Sequence, residues 1–288
     1  MEASERRAVL ILADISGYTK FMVANQLAAV HGQQAITLLI ETILREVDIP
    51  LILHAIEGDA VFLSASHPGD EEGWREVLAE VRIKLPRFFE VFLEGIVRTA
   101  EATPCKCASC QHLEELRLKI IVHSGRAVYH TIAGLPQIAG TDVILAHRLL
   151  KNSVPSNEYL LMTDAAYDDI GREMQGEFLP GEEHCEGFGA VRTWVHLMGP
   201  AREQARDALY AKSDAALAAE GRRYARWAVR STFGALVEQW KHPAVRVPWW
   251  KQIAFTAGHL LKAPLFFAVA KREGTRNLVG RRSARQRQ

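Results

Sequence analysis

The chain has 288 residues, of which 48% are hydrophobic and 24% are charged, so it can bury one substantial core and carry an appendage. The formal net charge of +1 conceals two unequal parts, because residues 201–288 contain 18 Lys and Arg against 6 Asp and Glu, whereas residues 1–200 carry a net charge of −11. Four cysteines, three of them crowded together, exclude the disulfide framework of a small secreted protein.

Composition and charge therefore predict a boundary near Gly199-Pro200, with one domain over residues 1–199 and a basic region over 200–288. The N-terminal apolar run is interrupted by Asp14 and has no small-residue cleavage site after it, which argues against a signal peptide. We expect a cytoplasmic protein.

The first predicted element is a strand over residues 8–13, which are all apolar and end at Asp14. Apolar residues at helical spacing over 19–47 then predict one long helix packed on a sheet. The apolar runs 51–56 and 60–65 flank the dipeptide Gly58-Asp59, which is typical of a β-hairpin.

A second long helix is predicted over residues 70–98, with Pro86 expected to kink it or to split it in two. Residues 116–134 alternate as two strands about Gly125. The remaining predictions are a helix over 142–152, a strand over 159–162 and a short helix over 163–170 with Thr163 as its N-cap.

Asp14 and Asp59 each lie at the end of a predicted strand. If those strands are neighbours in one sheet, both carboxylates fall at the same edge. Two carboxylates so placed can hold Mg²⁺ or Mn²⁺ ions about 3.5–4 Å apart for in-line attack at phosphorus. The sequence thus predicts a two-metal site.

Four segments in this order resemble a class III nucleotidyl (adenylate/guanylate) cyclase domain: ILADISGYT at 11–19, EGDAVF at 57–62, KIIVHSGRAV at 119–128 and GTDVILAHRLLKN at 140–152. The resemblance spans about residues 6–198. The segment at 140–152 is more similar to an uncharacterised bacterial branch of that superfamily than to the well-studied adenylyl and guanylyl enzymes. It implies a ferredoxin-like α/β (α+β) core that works as a head-to-tail homodimer, with each active site shared between two chains.

The resemblance also implies roles for individual residues. Asp14, Asp59 and Ile15 match the metal site, and Arg148 of the second chain matches the arginine that stabilises charge at the α-phosphorus. Apart from the resemblance, Lys151 lies three residues after Arg148 on the same predicted helix face and could reach a phosphate oxygen; the alternative is a solvated surface lysine. The turn that approaches the triphosphate through its backbone amides is matched by Ser16, Gly17, Tyr18 and Thr19.

Other positions depart from the family pattern. Ile144 stands where the family has its transition-state asparagine, and Ala55 and Gln137 stand where a lysine and an aspartate read the purine. The phosphate-binding lysine of the closing strands falls on Glu186 or Phe188. Losing one preorganised donor costs about 10²–10³ in rate, so ordinary adenylyl or guanylyl cyclase activity is not expected.

Three cysteines, Cys105, Cys107 and Cys110, lie within the expected insertion at 104–112. Three thiolates so close can coordinate Zn²⁺ or an iron–sulfur centre if a fourth ligand comes from elsewhere. A redox-sensitive thiol cluster and an inert loop are the alternatives.

The basic region at 200–288 is expected to be a helical appendage and contains four of the six tryptophans. Its aromatic, apolar stretch at 249–270 is compatible with a peripheral contact, through residues 245–288, with the inner face of a membrane. The alternative is a helical subdomain that packs on the acidic domain. Nucleic acid is not expected, because no recognisable binding motif is present.

Two functions of different class follow from these observations. The first is a cyclase-homology signalling module that binds divalent metal and a nucleoside triphosphate without the ordinary reaction. The second is an active Mg²⁺- or Mn²⁺-dependent cyclase with altered base preference.

Overall fold

The computed structural model describes residues 3–24, 29–102, 112–133, 135–199 and 202. They form one eight-stranded sheet, with neighbours in the order β2-β3-β1-β4-β6-β8-β7 and β5 paired to β4. Strands β4 and β6 are parallel and the other neighbours are antiparallel. The strands are β1 Ser4–Ser16, β2 Ile52–Glu57, β3 Ala60–Ser66, β4 Arg117–Ile132, β5 Leu135–Ala139, β6 Tyr159–Thr163, β7 Leu179–Cys185 and β8 Gly189–Leu197.

Helices lie on both faces of this sheet. They are α1 Tyr18–Ala24, α2 Ala29–Leu44, α3 Glu71–Ala102, α4 Thr141–Arg148 and α5 Asp164–Asp169, with two short 3-10 helices at Leu113–Glu115 and Gly171–Glu173. The central strand β1 is apolar throughout its middle because both of its faces are covered. Val9 and Ile11 pack in a core with α2 and α3, whereas Leu10 and Leu12 pack in a second core with α4.

The predicted strand at 8–13, the hairpin about Gly58-Asp59 and the strand at 159–162 are confirmed. The N-cap is confirmed as well, since the Thr163 hydroxyl accepts a hydrogen bond from the Ala166 amide at 3.4 Å. Where one helix was predicted over 19–47, the structure describes two, α1 and α2. Residues 25–28 between them lie outside the described residues. The strand β5 was not predicted.

Two predictions were wrong. Residues 117–132 form one continuous strand rather than two, because Gly125 makes no turn and instead leaves room for the Asp142 side chain. Helix α3 runs through Pro86 as one element, so the expected division into two helices is wrong, whereas the expected kink stays a prediction. Its apolar face is buried along the whole length, and that packing offsets the roughly 3 kcal/mol that a proline costs inside a helix.

The three clustered cysteines and residues 203–288 lie outside the described residues, so the predictions made for them stay predictions. Among the helices that the structure describes, none combines the length and the apolar character that a membrane span needs.

Candidate functional site

The end of β1 brings the two predicted metal-binding aspartates together. Asp14 pairs with Ala60 of β3, and Asp59 is the residue just before Ala60 in the tight β2–β3 turn. The Ile15 amide donates to the Asp59 carbonyl at 3.4 Å, which ties that turn to the strand. Gly58 makes the turn with φ 68°, a conformation that favours glycine.

The two carboxylates affect each other. The pKa of Asp59 is raised from 3.8 to about 6, chiefly by burial and also by the charge of Asp14 and a hydrogen bond between the two side chains. The Asp59 backbone hydrogen bond and the charge of Lys119 act against this rise. A proton or a cation is therefore favoured between the two groups.

Lys119 is a residue of this candidate site that the sequence reasoning missed. It lies directly opposite Asp14 on β4, so that the two side chains share one face of the sheet. Its ammonium is 3.0 Å from Asp14 Oδ2 and donates to the Leu150 carbonyl at 3.1 Å. Both side chains are about four-fifths buried, with 19% and 18% exposed. The signal was the register between strands, which no local motif contains.

The predicted phosphate turn connects β1 to α1. Gly17 has φ 91°, and its carbonyl accepts from the Phe21 amide as the first turn of α1 begins. Ser16 is buried, whereas Gly17 and Thr19 are exposed and the Tyr18 hydroxyl donates to Gln33 Oε1 at 3.2 Å. The turn thus exposes the Gly17 backbone to solvent three residues beyond Asp14.

Arg148 is the last residue of α4, and its guanidinium is 2.7 Å from Glu186 Oε2. This ion pair lies on the surface, since 43% of the Arg148 side chain and 87% of the Glu186 side chain are exposed. Glu186 is one of the two positions, with Phe188, to which the phosphate-binding lysine of the family was assigned, and its carboxylate pairs with Arg148. Lys151 lies beyond the end of α4, so the helix face that it was expected to share with Arg148 does not extend to it.

The positions expected to read the nucleotide contain no charged group. Ile144 on α4 is 51% exposed. Ala55 is half-buried opposite Phe62, Gln137 is exposed on β5, and Phe188 packs against the second core. None of these side chains except Gln137 can donate a hydrogen bond to a base.

A buried histidine fixes α4 to the sheet. His123 Nδ1 lies 2.8 Å from the Thr163 hydroxyl, and its Nε2 lies 3.4 Å from Asp142 Oδ1 in the first turn of α4. Asp142 also accepts from the Arg126 amide at 2.6 Å. This close approach requires glycine at 125, because a Cβ there would lie 2.2 Å from Asp142 Oδ2. The HSG segment therefore positions the helix that carries Arg148.

The donor set at the end of β1 fits a divalent cation such as Mg²⁺ or Mn²⁺, which prefers carboxylate oxygens. The charge of Asp14 helps to raise the pKa of Asp59, and a cation between the two carboxylates would relieve that repulsion. Within the described ranges, no group of three or more His, Cys, Asp and Glu side chains is arranged to hold a metal ion, so further ligands would have to come from backbone, water or phosphate.

Two comparisons with known sequences found a family of unknown function and an uncharacterised relative. Residues 36–159 match the family described as "Protein of unknown function (DUF2652)". The chain is 34% identical over 141 residues to "Uncharacterized protein Rv2561/Rv2562" of Mycobacterium tuberculosis (strain ATCC 25618 / H37Rv). That match covers 49% of this chain and 63% of the relative, less than two thirds of its length.

The fold itself matches a solved cyclase. The crystal structure of the adenylyl cyclase CyaB from P. aeruginosa superposes with a TM-score of 0.51, covering 68% of this chain and 96% of that chain. Sequence identity is only 14%, so the likeness concerns the fold. The chain therefore has the fold of a class III nucleotidyl cyclase catalytic domain.

Proposed function

We propose that this protein is a cyclase-like signalling module that binds a nucleoside triphosphate with divalent cations at Asp14 and Asp59 and lacks ordinary adenylyl or guanylyl cyclase activity. The observation that carries the proposal is the convergence of Asp14, Asp59 and Lys119 at one end of β1. A structural role alone needs no buried carboxylate pair of this kind, because burying like charges together is unfavourable.

Each of these residues has a distinct part in binding. Asp14 and Asp59 hold the cation through carboxylate oxygens, and a bound Mg²⁺ or Mn²⁺ supplies positive charge for the triphosphate. Lys119, released in part from Asp14 by that cation, donates to a phosphate oxygen. The exposed backbone at Gly17 lets phosphate approach closely, since no side chain intervenes.

The same geometry argues against the ordinary reaction. Ile144 offers no hydrogen bond at the position where the family orients the ribose. Its apolar side chain is exposed there. Arg148 is paired with Glu186, which lowers the positive charge available to a second chain. Removing such donors from a preorganised site lowers the rate by orders of magnitude.

We also propose that the chain forms the homodimer implied by its fold. Strand β2 is a sheet edge that exposes Ile52, Leu53 and Ile56 at 48%, 41% and 49%. Unprotected apolar edges favour association. In a shared site, Arg148 of one chain serves the aspartates of the other.

An active cyclase of altered base preference is the second candidate, and Lys119 favours it, because this cation supplies some of the charge missing elsewhere. Incubation of the full chain with Mn²⁺ and each of the four ribonucleoside triphosphates, followed by mass spectrometry, separates the two candidates. If the protein is a non-catalytic module, the triphosphate should remain intact and no cyclic mononucleotide should form. A cyclic product that disappears in Asp59→Asn would establish the cyclase instead.

A further inference from the structure

A cleft of about 440 Å³ opens on the opposite face of the sheet from Asp14. Its walls are α3 on one side and the strands β6 and β8 on the other. The floor is apolar, formed by Phe89, Leu93, Leu160 and Met198. An apolar cleft of this size between packed elements is normally filled in a folded protein.

The rim of the cleft is charged. Arg82 of α3 pairs with Glu173 at 2.5 Å across one end, and Glu90 is exposed along α3. The lining contains three glutamates, Glu90, Glu158 and Glu173, against two arginines, and Glu90 is 3.0 Å from Arg87 of the same helix. A polypeptide that enters the cleft would gain chiefly from an apolar side chain on the floor, and a basic side chain at the rim would share the Glu90 carboxylate with Arg87.

The described chain reaches this cleft at Arg202. The Arg202 guanidinium lies 2.5 Å from Glu158 Oε1, with only 11% and 9% of the two side chains exposed. The Arg202 amide donates to the Met198 carbonyl at 2.9 Å, which is the spacing of a helical turn. A buried ion pair thus fixes Arg202 against the wall of the cleft.

The sequence after Arg202 suits that direction. Residues 203–219 contain no Gly or Pro and are rich in alanine, which favours a helix. If the helical turn continues, Arg206, Leu209 and Tyr210 share the side of Arg202 at spacings of four, seven and eight residues. Ala211, nine residues on, lies on the opposite side.

We propose that residues 203–219 dock as a helix in the cleft between α3 and the strands β6 and β8. Leu209 and Tyr210 cover the apolar floor, and Arg206 meets the exposed Glu90 carboxylate at the rim. This docking attaches the basic C-terminal region to the α3 face and leaves the face with Asp14 and Arg148 open to a second copy of the chain.

Photo-crosslinking in the full chain tests the docking. Benzoylphenylalanine is placed at Gln175, an exposed residue that lines the cleft, and in a separate control at Ile132, which is 59% exposed on β4. We expect Gln175 to give crosslinks within residues 203–219, in a species of monomer mass, and Ile132 to give none there. Leu209→Asp should lower the yield at least fivefold, whereas Ala211→Asp should leave it unchanged.

Several outcomes would overturn the proposal. They are crosslinks from Gln175 only to residues 220–288, crosslinks only in a species of dimer mass, no crosslink from a chain whose circular dichroism shows it folded, or equal losses for Leu209→Asp and Ala211→Asp. A small molecule that co-purifies with the full chain and becomes crosslinked at Gln175 would also overturn it.

Discussion

The Lys119 ammonium lies 3.0 Å from the Asp14 carboxylate, because the two residues are paired across β1 and β4. The same ammonium donates to the Leu150 carbonyl, just beyond α4. Lys119 therefore connects the carboxylate pair to the segment that follows α4. It neutralises part of the carboxylate charge when no divalent cation is bound.

Lys119→Met should lower the free energy of unfolding by about 1.5–3 kcal/mol at pH 7.5, the range for hydrogen bonds to charged groups. It should also weaken triphosphate binding in the presence of Mn²⁺, since a phosphate contact is lost. Urea unfolding and nucleotide titration measure the two effects. The matched control is Lys151→Met, an exposed lysine for which we expect a change within about 0.5 kcal/mol. Equal effects of the two variants would argue against a role for Lys119.

The raised pKa of Asp59 predicts a pH dependence of stability. The folded protein holds the Asp59 proton until about pH 6, whereas the usual value is 3.8. The contribution of Asp59 to the free energy of unfolding is therefore fully present below pH 3.8 and is lost as the pH rises through 6. Without metal, Asp59→Asn should raise the melting temperature more at pH 8 than at pH 4.5. Thermal scans in chelator measure this difference, and excess Mn²⁺ should abolish the advantage of the variant.

Gly125→Ala should lower the free energy of unfolding by about 1–3 kcal/mol, because its Cβ would lie 2.2 Å from Asp142 Oδ2 and displace a carboxylate that accepts from the Arg126 amide. Denaturant unfolding gives the value. Gly199→Ala is the control, since a Cβ there meets nothing within 4 Å. A Gly125→Ala protein as stable as this control would show that Asp142 does not hold α4 in place.

Ile144→Asn tests why ordinary catalysis is not expected. The side chain is 51% exposed, so the substitution should change the free energy of unfolding by less than about 0.5 kcal/mol. If the missing asparagine limits the reaction, the variant should form cyclic mononucleotide at least tenfold faster than the natural chain. Ile132→Asn, at a 59% exposed site on β4, should form no more product than the natural chain. No gain with Ile144→Asn would mean that other departures from the family pattern suffice to prevent the reaction.

The sequence was most informative where a motif lies in one continuous segment. Asp14 and Asp59 each end an apolar run, and the apolar runs that predict β1 and the β2–β3 hairpin need no knowledge of other elements. The contact between Asp14 and Lys119 depends instead on which strands pair and in what register. Such information is not local, and so Lys119 was missed.

Glycine and proline were the other sources of error. Gly125 was interpreted as a break between strands, but its missing Cβ serves a tertiary contact with Asp142. Pro86 was expected to kink or divide α3, and the helix is not divided, because burial of the helix face outweighs the lost hydrogen bond. In both cases the local preference was real and the packing decided the structure.

Calorimetric titration of the full chain with Mn²⁺ and a non-hydrolysable nucleoside triphosphate, for the natural protein and for Asp59→Asn, tests the central claim most directly. The control variant is Glu76→Gln, an exposed carboxylate on α3. We predict binding that depends on Mn²⁺, is at least tenfold weaker in Asp59→Asn and is unchanged in Glu76→Gln. No binding by the natural protein, or equal binding by the natural protein and Asp59→Asn, would contradict a metal–triphosphate site at Asp14 and Asp59.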